Sequence, residues 1–191
     1  GIWDAVSVCC ARSGSDAARF EQAGMPRERI VETGSLKYDA LSLEVEPARQ
    51  AELRELFAVA QHAPVIVAGS THPGEDALLC GVHEKLSGRH PGVRLILVPR
   101  HIERAAALAR GLGATGVPLA RKTELESGAA VADGTEVILV DTIGDLTACY
   151  ALATVAFVGR SLLPPGGGQN MMEPAALGKA VIVGPYTGNF R

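Results

Sequence analysis

Short unbroken apolar runs alternate along this chain with stretches in which apolar residues recur every three or four positions. Val65-Ile66-Val67-Ala68 runs into Gly69-Ser70, the pattern of a strand buried on both faces of a parallel sheet. Leu78, Leu79, Val82 and Leu86 then recur at helical spacing. Residues 93–98 predict a second strand, ending at Pro99-Arg100-His101, and the Ala/Leu/Arg-rich residues 102–112 favour helix. A shorter strand over 117–121 leads into a polar turn region, after which EVILVD (136–141) returns to strand and 145–153 to helix. Residues 154–158 predict another strand. Beyond a Gly/Pro-rich segment (163–169) come a short helix over 171–177, closed by Gly178, and a last strand over 180–183. The alternation predicts an α/β fold: a Rossmann-like parallel sheet with helices on both faces.

Upstream, residues 5–10, 15–23 and 29–33 predict strand, helix and strand. Residues 41–61 predict a helix-bearing connection in which Pro47 opens a charged stretch of good helix formers. The domain boundary is expected near residue 38, giving segments 1–38 and 39–191. Both ends are expected to be cut. Gly1 opens the chain beside a predicted strand, and the chain closes at Asn189-Phe190-Arg191, where a doubly wound domain would normally add a covering helix.

Composition narrows the function classes. With 191 residues, 47% of them hydrophobic, the chain can bury one core and part of a second. Eighteen basic against 21 acidic residues, a net charge of -3, leave no basic stripe for nucleic acid. Cys9, Cys10, Cys80 and Cys149 make neither a C-x-x-C pair nor a zinc spacing, as expected of a reducing compartment. No apolar run approaches the ~20 residues of a bilayer span.

In an open parallel sheet, ligands bind outside the carboxyl ends of the strands. That rule selects four polar clusters: 69–75, 99–101, 141–145 and 164–173. In the last, Gly166-Gly167-Gly168-Gln169-Asn170-Met171-Met172-Glu173 places glycines, a capping Asn and a Glu at one helix start. Such a terminus suits a phosphate, because the backbone can approach closely and its N–H groups and dipole favour negative charge. Glu173 either accepts from two ribose hydroxyls or closes a capping box on Asn170. Arg100 suits bidentate pairing with a phosphate or sugar carboxylate; the alternative is a surface ion pair with Glu103 or Asp145. His72 and His101 are donors to an anion or structural hydrogen-bonding groups, and neither has metal-ligand spacing to a second ligand. Ser70 and Thr71 lack the surroundings of a catalytic nucleophile and read as hydroxyls lining a polar pocket. Asp145 or Thr142 caps the helix that follows, leaving backbone groups of Ile143 and Gly144 to meet a base or ribose.

Five motifs, in order, resemble one family. TGSLKYDA (33–40), AGSTHPGE (68–75), LILVPRH (95–101), DTIGDL (141–146), and AFVGRSL with GGQNMMEPAALGKAVIVGP (156–162 and 167–185) are similar to the 3-deoxy-D-manno-octulosonic acid (Kdo) transferases of lipid A synthesis. The resemblance implies a two-domain GT-B glycosyltransferase that moves Kdo from CMP-Kdo to a lipid A precursor at the cytoplasmic face of the bacterial inner membrane, without cofactor or metal. It implies that residues 1–38 are the tail of the amino-terminal acceptor domain with its linker, and that 39–191 form the nucleotide-sugar domain. Pro99 and Arg100, then Ile143, Gly144 and Asp145, then Asn170, Met171, Met172 and Glu173, match the family's donor-contacting segments. Ser70, Thr71, His72, His101, Gly167, Gly168 and Gln169 are further sugar or phosphate contacts. No catalytic residue is expected in this chain, because the family's general-base Glu lies early in the amino-terminal domain. Kdo's own carboxylate implies a second cationic or N–H contact, for which Lys179 and Arg160 are the candidates, Lys179 being equally placed as a solvated residue beside Gly178. Two departures are visible: residues 164–168 form a loop one residue longer than usual, and Arg160 stands where the family often has a second glycine. A UDP-sugar transferase on the same scaffold and a non-catalytic nucleotide-binding module are the alternatives.

Overall fold

The structure, a computed structural model, describes residues 2–35 and 45–190. The chain divides into two compact units, residues 1–41 and 42–191. The boundary expected at residue 38 and the 36–40 part of the TGSLKYDA motif lie outside the described residues, as do residues 41–44 of the predicted connection.

In the smaller unit, β1 (Cys9–Ala11) and β2 (Ile30–Glu32) pair in parallel across α1 (Gly14–Gln22). Ala11, Ala17, Met25 and Ile30 form its buried core. The strand expected from residue 5 begins only at Cys9, and Ile2–Ala5 is instead a 3-10 turn. Tertiary contacts explain the difference, because the Trp3 indole donates to the Ala23 carbonyl (2.5 Å) and Arg29 to those of Trp3 and Val6. These bonds fold the apolar start of the chain back instead of extending it.

The larger unit begins with α2 (Pro47–Leu56), opened by proline at its first turn. It continues through β3 (Val65–Thr71), α3 (Glu75–Ser87), β4 (Arg94–Pro99), a 3-10 turn and α4 (Ala105–Ala114), and β5 (Leu119–Arg121). Then come α5 (Lys122–Glu126), β6 (Val137–Leu139), α6 (Leu146–Leu152), β7 (Val155–Val158), α7 (Met172–Ala176) and β8 (Ala180–Val183). Where a polar turn was expected after residue 121, α5 stands.

The six strands β3–β8 form one wholly parallel sheet in the order β5-β6-β4-β3-β7-β8. Alternation along each strand feeds two cores, as the pleat requires. Ile96 and Val98 face α2 and α6 with Phe57, Leu53 and Tyr150, while Leu95 and Leu97 face α3 and α4 with Cys80 and Leu112. At the edge the covering thins, and Ile182 of β8 is 54% exposed.

This order fixes where a ligand can sit. The chain leaves β3 toward β4 and later crosses back to β7 on the other side of β3. The loops after β3 and β7 therefore diverge, the first into α3 on one face and the second into α7, which packs on α6 on the other. Between them opens the crevice of a topological switch point.

Candidate functional site

β3 ends in a bulge. Its register with β4 slips between Gly69 and Thr71, and Ser70 takes a left-handed backbone (φ 54°). Two glycines make room for this. A side chain on Gly69 would meet the Tyr150 hydroxyl at 2.0 Å, and one on Gly159 the Ser70 carbonyl at 2.3 Å. The bulge turns Ser70 into a cleft of about 270 Å³ whose other walls are Pro99, Arg100, Ile102, Ile143 and Gly144. Residues from the ends of β3, β4 and β6, scattered over 75 positions of sequence, thus share one rim.

Arg100 is exposed and, among the described residues, makes no ion pair. Both acids that were alternatives for it are engaged elsewhere. Glu103 lies 3.3 Å from His101, and Asp145 is held by Arg49, by Lys122 Nζ at 3.2 Å and by the Thr142 hydroxyl at 2.5 Å. Arg100 is therefore a cation without an ion-pair partner among the described residues, at the wall of a cleft that Glu103 also lines. Ile143, 85% exposed, offers an apolar face at the same mouth.

Several expected contacts take other roles. The Asp145 carboxylate is 8% exposed and turned inward, where it joins α2 and α5 to the start of α6. Burial alone would raise its pKa, but hydrogen bonds from Thr142, Arg49 and Lys122 outweigh that and hold it below the ordinary carboxylate value. Asp141 is likewise engaged, by Arg121 and by the Thr123 amide and hydroxyl. Thr71 is wholly buried and its hydroxyl donates to Asp76. The glycine amides expected to meet a phosphate are engaged within the protein, Gly167 N–H donating to the Tyr186 carbonyl and Gly168 N–H to that of Arg160. Lys179 precedes β8, which puts it at the amino edge of a parallel sheet, opposite the rim.

At α7 the capping box does not form as expected, and Glu173 bonds the Asn170 side chain instead. Asn170 lies one residue outside the helix N-cap, Met171. Its side-chain oxygen accepts from the Met172 amide (3.0 Å) and its amide donates to Glu173 Oε1 (2.9 Å). Glu173 Oε2 has no protein donor among the described residues, which leaves it open to a hydroxyl. The α7 entry reaches the β3 loop through Gln169, whose Nε2 lies 3.3 Å from His72 Nε2; the His72 ring in turn meets His101 edge-on at 5.4 Å.

The tie across the crevice is Glu75, which the sequence places with His72 and His101 on the donor side as the chain's nearest candidates for a base. It is 1% exposed, and its carboxylate accepts four backbone amides: His72 (2.9 Å), Arg160 (2.8 Å), Ser161 (3.0 Å) and Leu162 (3.0 Å). The β3 and β7 loops are pinned together by one internal anion. Its i, i+3 reach to His72 resembles a capping-box signal; the other three partners lie 85 to 87 residues away. Tyr150 went unread. Its buried hydroxyl, against Gly69, has no hydrogen-bond partner among the described residues, and burial pushes its pKa upward. Among the described residues no three His, Cys, Asp or Glu side chains cluster as a metal site would need.

No protein-family profile matches the sequence. The 3-deoxy-D-manno-octulosonic acid transferase of Haemophilus influenzae is 36% identical over 190 residues, 99% of this chain and 43% of that protein. The crystal structure of the C-terminal CMP-Kdo binding domain of WaaA from Acinetobacter baumannii matches with a TM-score of 0.66 and 31% identity, over 75% of this chain and 72% of that one. The chain belongs to the Kdo transferase family. It spans less than half the length of the Haemophilus transferase. The structure of Anabaena HepE in complex with UDP, 20% identical with a TM-score of 0.52 over 96% of this chain and 46% of that one, shares the fold. The larger unit of this Kdo transferase chain is a GT-B carboxyl-terminal domain, with a six-stranded parallel sheet flanked by helices.

Proposed function

We propose that this chain carries the donor site of a transferase that moves Kdo from CMP-Kdo to a lipid A precursor in lipopolysaccharide synthesis. The observation that carries the reading is the unpaired Arg100 guanidinium beside Pro99 in the switch-point cleft, in a chain similar to a CMP-Kdo binding domain. Arg100 neutralises the CMP phosphate as its bond to the anomeric carbon breaks, the stage at which charge builds on the leaving group. The cytosine base packs on Ile143 and Gly144. Glu173 Oε2 accepts from the ribose, with Asn170 holding the other oxygen, and Met171 and Met172 frame that contact. Ser70 lines the phosphate wall. Residues 1–38 belong to the acceptor domain and linker, and 39–191 to the donor domain.

On this reading CMP binds the chain more tightly than UMP in a calorimetric titration. Glu173→Ala removes a charge-assisted hydrogen bond worth about 1.5 to 3 kcal/mol, so CMP affinity falls roughly 10- to 150-fold. Equal affinity for CMP and UMP would instead favour a transferase using UDP-sugars.

The acceptor and the general base belong to the other domain of the transferase, and cleft closure aligns them with the donor. Within this chain the Glu75 carboxylate is buried and saturated with amides, and His72 and His101 face the donor. The chain alone is therefore expected to release CMP from CMP-Kdo at the spontaneous rate, with or without a lipid A precursor. Acceptor-dependent release would move the base onto His72 or His101. Among the described residues no helix is long and apolar enough to cross a membrane; we place the whole enzyme at the cytoplasmic face of the inner membrane through its acceptor.

A further inference from the structure

Among the described residues, the Tyr150 hydroxyl is the one buried side-chain polar group without a hydrogen-bond partner. Tyr150 is 1% exposed, so its hydroxyl has lost water and gained nothing in exchange, a state that weakens the fold. Phenylalanine would fill the same space without that loss.

The hydroxyl lies one layer beneath the donor cleft. It presses on Gly69 at the β3 bulge, where a side chain would meet the hydroxyl oxygen at 2.0 Å and Leu146 Cδ1 at 2.8 Å. Leu146 in turn lines the cleft with Ser70 and Arg100. The helix that carries Tyr150, α6, packs on α7, and α7 presents Glu173 in its first turn. Burial, and after it the Glu173 charge, raise the pKa of the phenol, so it stays protonated at neutral pH and is a donor. Glu173 has room for one. Its Oε1 accepts from Asn170 at 2.9 Å, and a carboxylate offers about four lone-pair sites. A donor without an acceptor and an acceptor with spare capacity thus stand on neighbouring helices beside the cleft, not bonded to each other. The helix between them and solvent is loosely closed: Ala175 N–H reaches the Met171 carbonyl at 3.4 Å and Leu177 N–H that of Glu173 at 3.3 Å, beyond the usual limit of about 3.2 Å.

We propose that Tyr150 is a positioning residue for nucleotide binding: with a ribonucleotide in the cleft, its hydroxyl donates to the Glu173 carboxylate and fixes that carboxylate to accept from the ribose. The proposal rests on the donor-site reading above, in which Glu173 meets the ribose. Asn170, Tyr150 and a ribose hydroxyl then share one carboxylate. The free chain bears the orphaned hydroxyl and the bound chain relieves it, because the ribose contact favours the arrangement in which Glu173 is held. Phenylalanine at this position would favour stability over binding.

The test compares the 191-residue chain with its Tyr150→Phe variant, which loses one oxygen and keeps the ring. Both are unfolded in urea and titrated calorimetrically with CMP and with the dideoxy analogue of CMP, which lacks both ribose hydroxyls. Without ligand, the urea midpoint of the variant is expected to equal or exceed that of the wild type, since an unpaired buried hydroxyl is removed. CMP affinity is expected to fall about tenfold, as for one lost hydrogen bond to a charged group, and affinity for the dideoxy nucleotide to stay within about twofold. Glu173→Ala and the double variant Glu173→Ala/Tyr150→Phe should bind CMP alike, because the hydroxyl acts only through the carboxylate. A purely structural role would lower the urea midpoint or weaken both nucleotides equally, and either result overturns the proposal. So does CMP binding to Tyr150→Phe as tight as to the wild type, which would leave the nucleotide reading intact. Failure of the wild type to bind CMP would sink the nucleotide reading itself, and the role of Tyr150 with it.

Discussion

Glu75→Ala is expected to lower the stability of the chain by at least about 3 kcal/mol, because it strands four backbone amides that share one carboxylate. Each buried donor without an acceptor costs about 1 to 3 kcal/mol. Ser161 is wholly buried, so water cannot replace the carboxylate there; His72 and Arg160 stand nearer solvent and lose less. Set against the roughly 5 to 15 kcal/mol that holds a domain folded, this is a large fraction. Glu75→Gln keeps the shape and one acceptor oxygen but turns an NH2 toward N–H groups, so it falls between wild type and alanine. Urea denaturation of the three proteins gives the order, and CMP titration should follow it, since the β3 and β7 loops no longer share a pin. Stability of Glu75→Ala within about 1 kcal/mol of wild type would mean that the loops hold one another without it.

A comparable loss is expected at Asp145. Lys122 is 2% exposed, and its ammonium has two anions, Glu126 at 2.5 Å and Asp145 at 3.2 Å. Asp145→Ala removes the more buried of them and also releases Arg49. Breaking a buried pair from one side costs about 3 to 5 kcal/mol, most of it the uncompensated charge left behind. Adding Lys122→Met should recover part of the loss, and a double-mutant cycle would show this as coupling. The same cluster sets an acid limit. Against burial, which favours the neutral form, hydrogen bonds from Thr142, Arg49 and Lys122 depress the Asp145 pKa, and those from Thr123 and Arg121 depress that of Asp141. A pKa lower in the folded than in the unfolded state contributes stability that is complete above the unfolded value, about 4, and is lost as pH falls through the folded one. Stability should therefore drop below about pH 4, and the drop should be shallower in Asp145→Ala. An identical acid limb in wild type and variant would remove Asp145 from the account.

The contrast between Arg100 and Asp145 shows how far local pattern reaches. Both follow strands, both are charged, and both were expected to face the donor. Arg100 is left free at the rim because its possible partners pair elsewhere, while Asp145 is drawn inward by cations from α2 and α5, 96 and 23 residues away. Lys122 illustrates the same limit: a lysine in a polar stretch gives no local sign that it will be buried, because its burial depends on an acid that only folding brings near.

By itself the sequence determined the elements of the large sheet and their order, since a strand covered on both faces must be apolar throughout and a helix covered on one must repeat near 3.6. It also determined the rim, because parallel strands put every loop that follows a strand at the same edge, and it carried the family's motifs there in order. Tertiary structure alone decided which rim groups stay open. Glycine amides that look free in the sequence donate to Tyr186 and Arg160, Thr71 is turned to Asp76, and Arg160 remains unpaired because four amides saturate Glu75. The reason is physical: whether a polar group is available depends on every other donor and acceptor within about 3 Å of it, and those neighbours are assembled across distances in sequence that no local periodicity spans.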